Sequence, residues 1–292
     1  MSHYIGRFAP SPTGPLHIGS LIGALASYLD AKANGGQWLL RIEDLDPPRE
    51  MPGAANAILT CLQQHGLQWD QPVLWQHQRH QAYQQIIDQL LATGQAFYCT
   101  CSRSDTQHQG GIYSGHCRGR TQIPNRPFAI RWQVPEQTIG FNDAIQGYFS
   151  QHLPQQVGDI VLKRKDGLFA YQLAVVVDDA YQQITHCVRG SDLLSSTPRQ
   201  IALQQALSLP PLHYCHIPVI TNQLGQKLSK QTFAPAMDAT NACQNLLIAL
   251  DFLQQPKPPL NSRHDVDKII QWAIEHWLPA AIPKCMGIIG DT

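Results

Sequence analysis

The hydrophobic pattern at the start of the chain predicts a strand, a rigid loop and a helix in succession. Residues 4–8 form an apolar run that is typical of a buried strand. Residues 10–15 hold three prolines with serine, threonine and glycine, a composition that favours an ordered loop. Leu21, Leu25 and Leu29 then recur at helical spacing. Backbone N–H groups and the positive end of a helix dipole would meet at this turn, which suits a phosphate.

Strand and helix patterns continue to alternate through residue 97. Residues 38–42 predict a buried strand that runs into a charged segment, and helical spacing returns at residues 58–62 and 83–91. Charges at the carboxyl end of a strand lie where open α/β sheets bind ligands. We therefore predict that residues 1–97 form the first half of a doubly wound, parallel α/β domain with a Rossmann-like arrangement.

The pattern changes after residue 97, and we interpret residues 98–157 as an inserted subdomain with a single alternating strand at residues 128–134. Residues 158–237 are predicted to complete the α/β domain, and residues 238–292 to form a short helical C-terminal region. The features expected within the second half are a hairpin turn at Asp166-Gly167, a buried segment at residues 174–179, and strands at residues 184–188 and 216–221.

Composition limits the classes of function. The 292 residues are 43% hydrophobic and 14% charged with a formal net charge of zero, so any basic surface for a nucleic acid must be local. No apolar run reaches the length of a membrane span, and the sequence starts without the pattern of a signal peptide. We expect a cytoplasmic protein that does not enter a membrane.

Three of the eight cysteines, Cys99, Cys101 and Cys117, lie within twenty residues of one another. In a reducing compartment such a cluster indicates zinc, which takes four tetrahedral ligands in structural sites. Three cysteines of an ordinary core are the alternative. The candidates for a fourth ligand are His108, Tyr113 and His116, and imidazole is the commoner ligand.

Two short motifs carry the candidate chemistry. His17-Ile18-Gly19-Ser20 closes the N-terminal loop, and Lys227-Leu228-Ser229-Lys230-Gln231 follows the last predicted strand. Two lysines on a turn can follow the charge of a triphosphate as it moves during transfer. In this order, the pair resembles the HIGH and KMSKS signatures of class I aminoacyl-tRNA synthetases. The resemblance implies catalytic roles for His17 and Lys230. It implies an ATP site, with Mg²⁺ on the triphosphate, that comprises Pro15, His17, Gly19, Ser20, Lys227, Ser229 and Lys230.

Residues 7–14, 41–44 and 178–200 are similar to the glutamyl branch of that class. L-Glutamate has two carboxylates and one ammonium. Arg7 and Arg189 could each hold a carboxylate, and Glu43 could pair with the ammonium. The full glutamate site implied by this reasoning and the resemblance comprises Arg7, Ala9, Ser11, Glu43, Tyr171 and Arg189. Ser20 and Val175 depart from the glutamyl pattern, which would have His and Asn there.

The match from residue 4 to about residue 235 resembles the truncated glutamyl-Q tRNA(Asp) synthetase family most. That resemblance implies transfer of glutamate to queuosine in the anticodon stem-loop of tRNA(Asp), a monomeric enzyme, and Tyr113 as the fourth zinc ligand, with His116 as the alternative. Two other functions stay open. One is a minimal glutamyl-tRNA synthetase that charges the 3′ end of tRNA(Glu), and the other is a catalytically silent paralogue that binds glutamate or adenylate.

Overall fold

The computed structural model describes residues 4–108, 111–223, 225–226 and 237–290. The helices are α1 (Ile18–Ala33), α2 (Ala54–Gln64), α3 (His80–Ala92), α4 (Arg103–His108), α5 (Leu153–Gln156), α6 (Tyr171–Tyr181), α7 (Thr197–Ala206), α8 (Ala242–Phe252) and α9 (Val266–Glu275). The strands are β1 (Ile5–Phe8), β2 (Gln37–Ile42), β3 (Leu74–Trp75), β4 (Ala96–Cys99), β5 (Ala129–Trp132), β6 (Thr138–Asp143), β7 (Gly147–His152), β8 (Ile160–Lys163), β9 (His186–Gly190), β10 (His213–Ile217), β11 (Val219–Thr221) and β12 (Gly287–Ile289).

Parallel strands form the layer that carries the site. β1 pairs with β2 and β2 with β3, while β9 pairs with β10, all in parallel. The backbone N–H of Thr185 donates to the carbonyl of Ile5 at 2.9 Å, which links the start of β9 to β1. The penultimate residue of three strands is an arginine: Arg7 in β1, Arg41 in β2 and Arg189 in β9. This arrangement confirms the predicted α/β class and brings three arginines to the carboxyl edge of the strands.

Helix α1 lies at the centre of the larger hydrophobic core. Nine of its sixteen residues are buried, because it contacts the strands β1 and β9 as well as the helices α8 and α9. The C-terminal helices therefore complete the core around the helix that begins at the His17 motif. A second core joins α3, α6 and α7 to an antiparallel sheet in the order β4, β5, β8.

The inserted segment holds more strands than the pattern predicted. β5 corresponds to the expected alternating strand, but β6 and β7 form an additional antiparallel hairpin. Phe141 of β6 packs edge-on against Tyr214 of β10, so the hairpin lies against the parallel strands. The antiparallel sheet takes β4 and β8 from either side of the insertion, and the proposed boundaries at residues 97 and 157 stay predictions.

One further expectation about strands was wrong. The single strand expected at residues 216–221 is divided at Pro218 into β10 and β11, since proline has no N–H to donate to a ladder. The C-terminal region contains the helices α8 and α9, as expected, and adds β12, which pairs in parallel with β11. Among the described residues, no helix is both long and apolar enough to cross a membrane.

Candidate functional site

A cavity of about 190 Å³ opens between β1, the start of α1, β9 and β11. Six residues of the predicted site line it, namely Arg7, Ala9, His17, Gly19, Ser20 and Arg189. Four described residues of the prediction are not part of its lining, namely Ser11, Pro15, Glu43 and Tyr171. Lys227, Ser229 and Lys230 lie outside the described residues. The sequence therefore predicted both arginine-bearing strand ends and the helix start that meet at this cavity.

Asp179 of α6 joins two of the three arginines. Arg7 donates to both of its carboxylate oxygens, and NH1 of Arg41 donates to Oδ1 at 2.8 Å. NH1 of Arg41 also donates to Gln182 at 2.8 Å. Although burial opposes its ionisation, the two guanidinium groups hold the pKa of Asp179 below its usual value. The network therefore binds Arg7, which lines the cavity, to a carboxylate of the protein.

Glu43 and Tyr171 lie beside these arginines. NH2 of Arg41 is 3.6 Å from Oε1 of Glu43. Burial raises the pKa of Glu43 to about 7, against the attraction of Arg41 and Arg7. Burial also raises the pKa of Tyr171 to about 12. Glu43 is thus a carboxyl group near its titration point at neutral pH, and Tyr171 is a neutral phenol.

Arg189, unlike Arg7, has no carboxylate partner among the described residues. Its Nε donates to His216 at 3.0 Å, and its NH2 donates to Thr197 at 2.7 Å and to Gln200 at 2.8 Å. Its NH1 is buried without a hydrogen-bond partner in the described part of the chain. A buried cation with one unsatisfied N–H group beside a cavity is suited to an incoming carboxylate.

The predicted phosphate-binding turn is the N-terminus of α1. His17 is its N-cap and accepts from the backbone N–H of Ser20 through Nδ1, while Nε2 lies 3.0 Å from Oγ of Ser20. A Cβ at Gly19 would lie 3.2 Å from the His17 ring, so glycine leaves the imidazole room over the turn. This geometry holds the imidazole at the positive end of a sixteen-residue helix.

The cysteine cluster fits a metal. The sulfur atoms of Cys99, Cys101 and Cys117 lie within 4.8 Å of one another, and those of Cys101 and Cys117 are 3.6 Å apart. Tetrahedral zinc with Zn–S bonds of about 2.3 Å would hold two sulfurs about 3.8 Å apart. The Tyr113 hydroxyl accepts from the backbone N–H of Cys117 at 2.8 Å, within the cluster, whereas His116 is exposed. This geometry supports zinc and favours Tyr113 over His116.

Comparison with known proteins agrees with the geometry. Residues 5–244 match the family "tRNA synthetases class I (E and Q), catalytic domain". The chain belongs to this class I synthetase family. It is 49% identical over 290 residues to a glutamyl-Q tRNA(Asp) synthetase of Neisseria meningitidis serogroup C, covering 96% of this chain and 98% of that protein. It is 51% identical over 282 residues to a protein of the same name from Ectopseudomonas mendocina, covering 96% and 95%.

The solved structures that it resembles also belong to glutamate enzymes. A glutamate-tRNA synthetase from Elizabethkingia anophelis superposes with a TM-score of 0.80 at 26% identity, over 99% of this chain and 68% of that one. A glutamate tRNA ligase from Elizabethkingia meningosepticum, in complex with its amino acid, gives 0.78 at 26% identity, over 98% and 66%. The class I synthetase fold predicted from the two motifs is therefore confirmed.

Two positions depart from the glutamyl pattern of the class I synthetases, and the structure locates both. Ser20 lies against His17, so its hydroxyl touches the imidazole at the turn. Val175 is buried among the apolar residues of the second core, on α6. Ser20 thus lines the cavity, whereas Val175 contributes to the packing of the second core.

Sequence reasoning missed the groups that hold the arginines of this synthetase site. Asp179 and Gln200 lie within residues 178–200, which resemble the glutamyl branch, but the sequence gave no reason to pair either with an arginine, and Asp143 and His216 were given no role in the site. Asp143 lies 73 residues from His216 in sequence. Only the strand register and the inserted hairpin bring these partners together.

Proposed function

We propose that this chain activates L-glutamate with ATP and transfers the glutamate to queuosine at the wobble position of tRNA(Asp). The observation that carries the proposal is its identity of about 50%, over nearly the whole chain, to proteins named glutamyl-Q tRNA(Asp) synthetase. The structure supports the proposal in two ways. Arg189, whose NH1 has no partner among the described residues, lines a cavity that could take a carboxylate, and the same cavity meets a helix N-terminus that could take a phosphate. Glutamate activation requires both kinds of binding site.

The first step joins glutamate to adenylate. An oxygen of the glutamate α-carboxylate attacks the α-phosphorus of ATP, and pyrophosphate leaves. His17 would donate to the phosphates, and Lys230 would neutralise the charge that develops. Mg²⁺ accompanies the triphosphate as part of the substrate. Arg189 would hold one glutamate carboxylate through NH1, and Glu43, once ionised, would pair with the ammonium.

The second step moves the glutamyl group. A hydroxyl of the cyclopentenediol ring of queuosine attacks the anhydride carbonyl, the bond to the phosphate oxygen breaks, and AMP leaves. Cys99, Cys101, Tyr113 and Cys117 would hold zinc, which would stabilise the inserted subdomain and take no part in either step. We expect the enzyme to act as a monomer.

A charging assay tests the proposal. Radioactive glutamate is supplied with ATP and purified tRNA(Asp), prepared with and without queuosine, and the labelled tRNA is then cut enzymatically to locate the label. We expect label on the wobble nucleotide of queuosine-containing tRNA(Asp) only. Label on the 3′-terminal adenosine would instead support a minimal glutamyl-tRNA synthetase. A chain that binds glutamate but forms no adenylate would support the silent paralogue.

A further inference from the structure

A chain of buried hydrogen bonds connects the inserted hairpin to Arg189. Asp143 is the last residue of β6, and its Oδ2 lies 2.6 Å from Nδ1 of His216. Nε2 of His216 lies 3.0 Å from Nε of Arg189. The side chains of Asp143 and His216 have no exposure to solvent. The carboxylate of the insertion therefore reaches the cavity arginine through one imidazole ring.

The donors and acceptors of these hydrogen bonds determine the tautomer of His216. A guanidinium group has only N–H donors, so Nε of Arg189 donates and Nε2 of His216 accepts. The proton of the neutral ring then lies on Nδ1 and is donated to Asp143. Burial lowers the pKa of His216, although the hydrogen bond to Asp143 acts in the opposite direction. The lowered pKa keeps the ring neutral.

The backbone holds the same three residues in place. In the parallel pairing of β9 with β10, His216 stands opposite Arg189. The carboxylate of Asp143 accepts from the backbone N–H of His216, at 3.0 Å and 3.1 Å to its two oxygens. It also accepts from the N–H groups of Ile145 and Gln146 at 3.0 Å and 2.9 Å. Asp143 is thus surrounded by donors, and an amide in its place would bring an N–H group against another donor.

The orientation of Arg189 follows from these bonds. His216 accepts from Nε, and Thr197 and Gln200 both accept from NH2, so two of the three guanidinium nitrogens are held. NH1 is left as the buried group without a partner in the described residues, on an arginine that lines the cavity. A planar, rigid guanidinium held at two of its nitrogens presents the third in a fixed direction.

We infer that Asp143 is a positioning residue for glutamate: it fixes the tautomer of His216, which orients Arg189 so that NH1 meets a substrate carboxylate. The inference rests on the proposed glutamate activation. It assigns to the inserted hairpin a part in substrate specificity, although the hairpin itself does not line the cavity.

The test compares two identical chemical changes at buried carboxylates. Asp143→Asn alters the series of hydrogen bonds that leads through His216 to Arg189. Asp159→Asn alters a carboxylate that is equally buried but binds Arg118 and the backbone of Val134, outside the cavity. Steady-state ATP–pyrophosphate exchange gives the KM for glutamate and the KM for ATP of each variant. We expect Asp143→Asn to raise the KM for glutamate about tenfold and the KM for ATP less than about twofold, because only the bond to the carboxylate is disturbed. Asp159→Asn should leave the KM for glutamate at the wild-type value.

A double-mutant cycle separates positioning from general stability. His216→Gln keeps an amide oxygen within reach of Nε of Arg189 but removes the ring that transmits the effect of Asp143, whereas His216→Asn is too short to reach. We expect His216→Gln to keep most of the affinity for glutamate and His216→Asn to lose it. In the His216→Gln background, Asp143→Asn should no longer change the KM for glutamate.

The outcomes distinguish the two proposals. If the wild type shows no glutamate-dependent exchange, the proposed function is wrong and the inference ends with it. If the wild type is active and Asp143→Asn behaves like Asp159→Asn, only the inference is wrong. An effect of Asp143→Asn that persists undiminished in the His216→Gln background would also overturn it, because a purely structural role predicts that persistence.

Discussion

Arg7 donates two hydrogen bonds to Asp179, from Nε at 3.1 Å and from NH2 at 3.3 Å. Sequence reasoning expected this arginine to hold a carboxylate of the substrate, and the structure places it on a carboxylate of the protein. Both side chains are almost completely buried, as is Arg41, which shares the same acceptor. Asp179 therefore supplies the negative charge that allows these two guanidinium groups to be buried.

Asp179→Asn should destabilise the protein strongly. Removing one partner of a buried ion pair leaves the other charge uncompensated, so the free energy of unfolding should fall by about 3–5 kcal/mol. Urea unfolding at pH 7 measures this loss. The matched control is Asp251→Asn, because Asp251 pairs with Lys257 on the exposed surface, where a pair contributes about 1 kcal/mol or less. Equal losses in the two variants would contradict the assignment.

The same pair gives stability a defined dependence on pH. Arg7 and Arg41 depress the pKa of Asp179 in the folded state, against the effect of burial. The contribution of Asp179 is therefore complete above its unfolded pKa of about 3.9 and is lost as pH falls through the lower folded value. The difference in unfolding free energy between wild type and Asp179→Asn should shrink as pH falls below about 4. A constant difference over this range would argue against an ionised Asp179.

Glu43 should make glutamate binding depend on pH near neutrality. Burial raises its pKa to about 7, and only the ionised form can pair with the ammonium of the substrate. The KM for glutamate should therefore fall as pH rises through about 7, which exchange assays across that range would measure. Glu43→Gln should show a higher KM with no such transition. A transition that survives in Glu43→Gln would belong to another group.

The parts of the structure that the sequence predicted are those with a local cause. The strand, loop and helix around His17 follow from an apolar run, three prolines and a helical repeat, all within neighbouring residues. The second half was harder: residues 174–179 contain three valines in a row, yet tertiary packing places them in α6 within the second core. The return of β12 to β11 depends on a contact between distant segments, which a local pattern does not record.

The candidate site shows the same division. Arg7 and Arg189 were found because an arginine near a strand end is visible in the sequence. The groups that hold them were not predicted. Asp179 accepts from Arg7 across 172 residues, and Asp143 reaches Arg189 only through His216, which lies 73 residues from Asp143 in sequence. The sequence therefore identified the arginines that line the cavity more readily than the groups that hold them.

The fourth zinc ligand can be decided by metal analysis of single variants. Wild-type protein should contain stoichiometric zinc, and a Cys99→Ser/Cys117→Ser double variant should lose it, because it removes two of the three thiolates. Tyr113→Phe should bind zinc more weakly in a chelator competition, while His116→Ala should match the wild type. Cys243→Ser, a cysteine outside the cluster, is the control for thiol loss. Normal zinc affinity in Tyr113→Phe together with weak binding in His116→Ala would reverse the assignment.

Gly287 should be required for the pairing of β11, a strand that precedes the lysine motif in sequence. β12 pairs in parallel with β11, and β11 ends at Thr221, six residues before Lys227. A Cβ at Gly287 would lie only 2.6 Å from Cγ2 of Thr221 and 3.3 Å from the carbonyl oxygen of Val219, so Gly287→Ala forces the Thr221 side chain or one of the two strands to move. Overpacking of this kind should lower the free energy of unfolding by about 1–3 kcal/mol.

Displacement of β11 should also slow ATP–pyrophosphate exchange, since the strand precedes in sequence the residues proposed to bind the triphosphate. Ile289→Ala is the matched control, because Ile289 lies on the same strand but is exposed. Exchange at the wild-type rate in Gly287→Ala would show that the pairing of β12 supports only the fold and not the reaction.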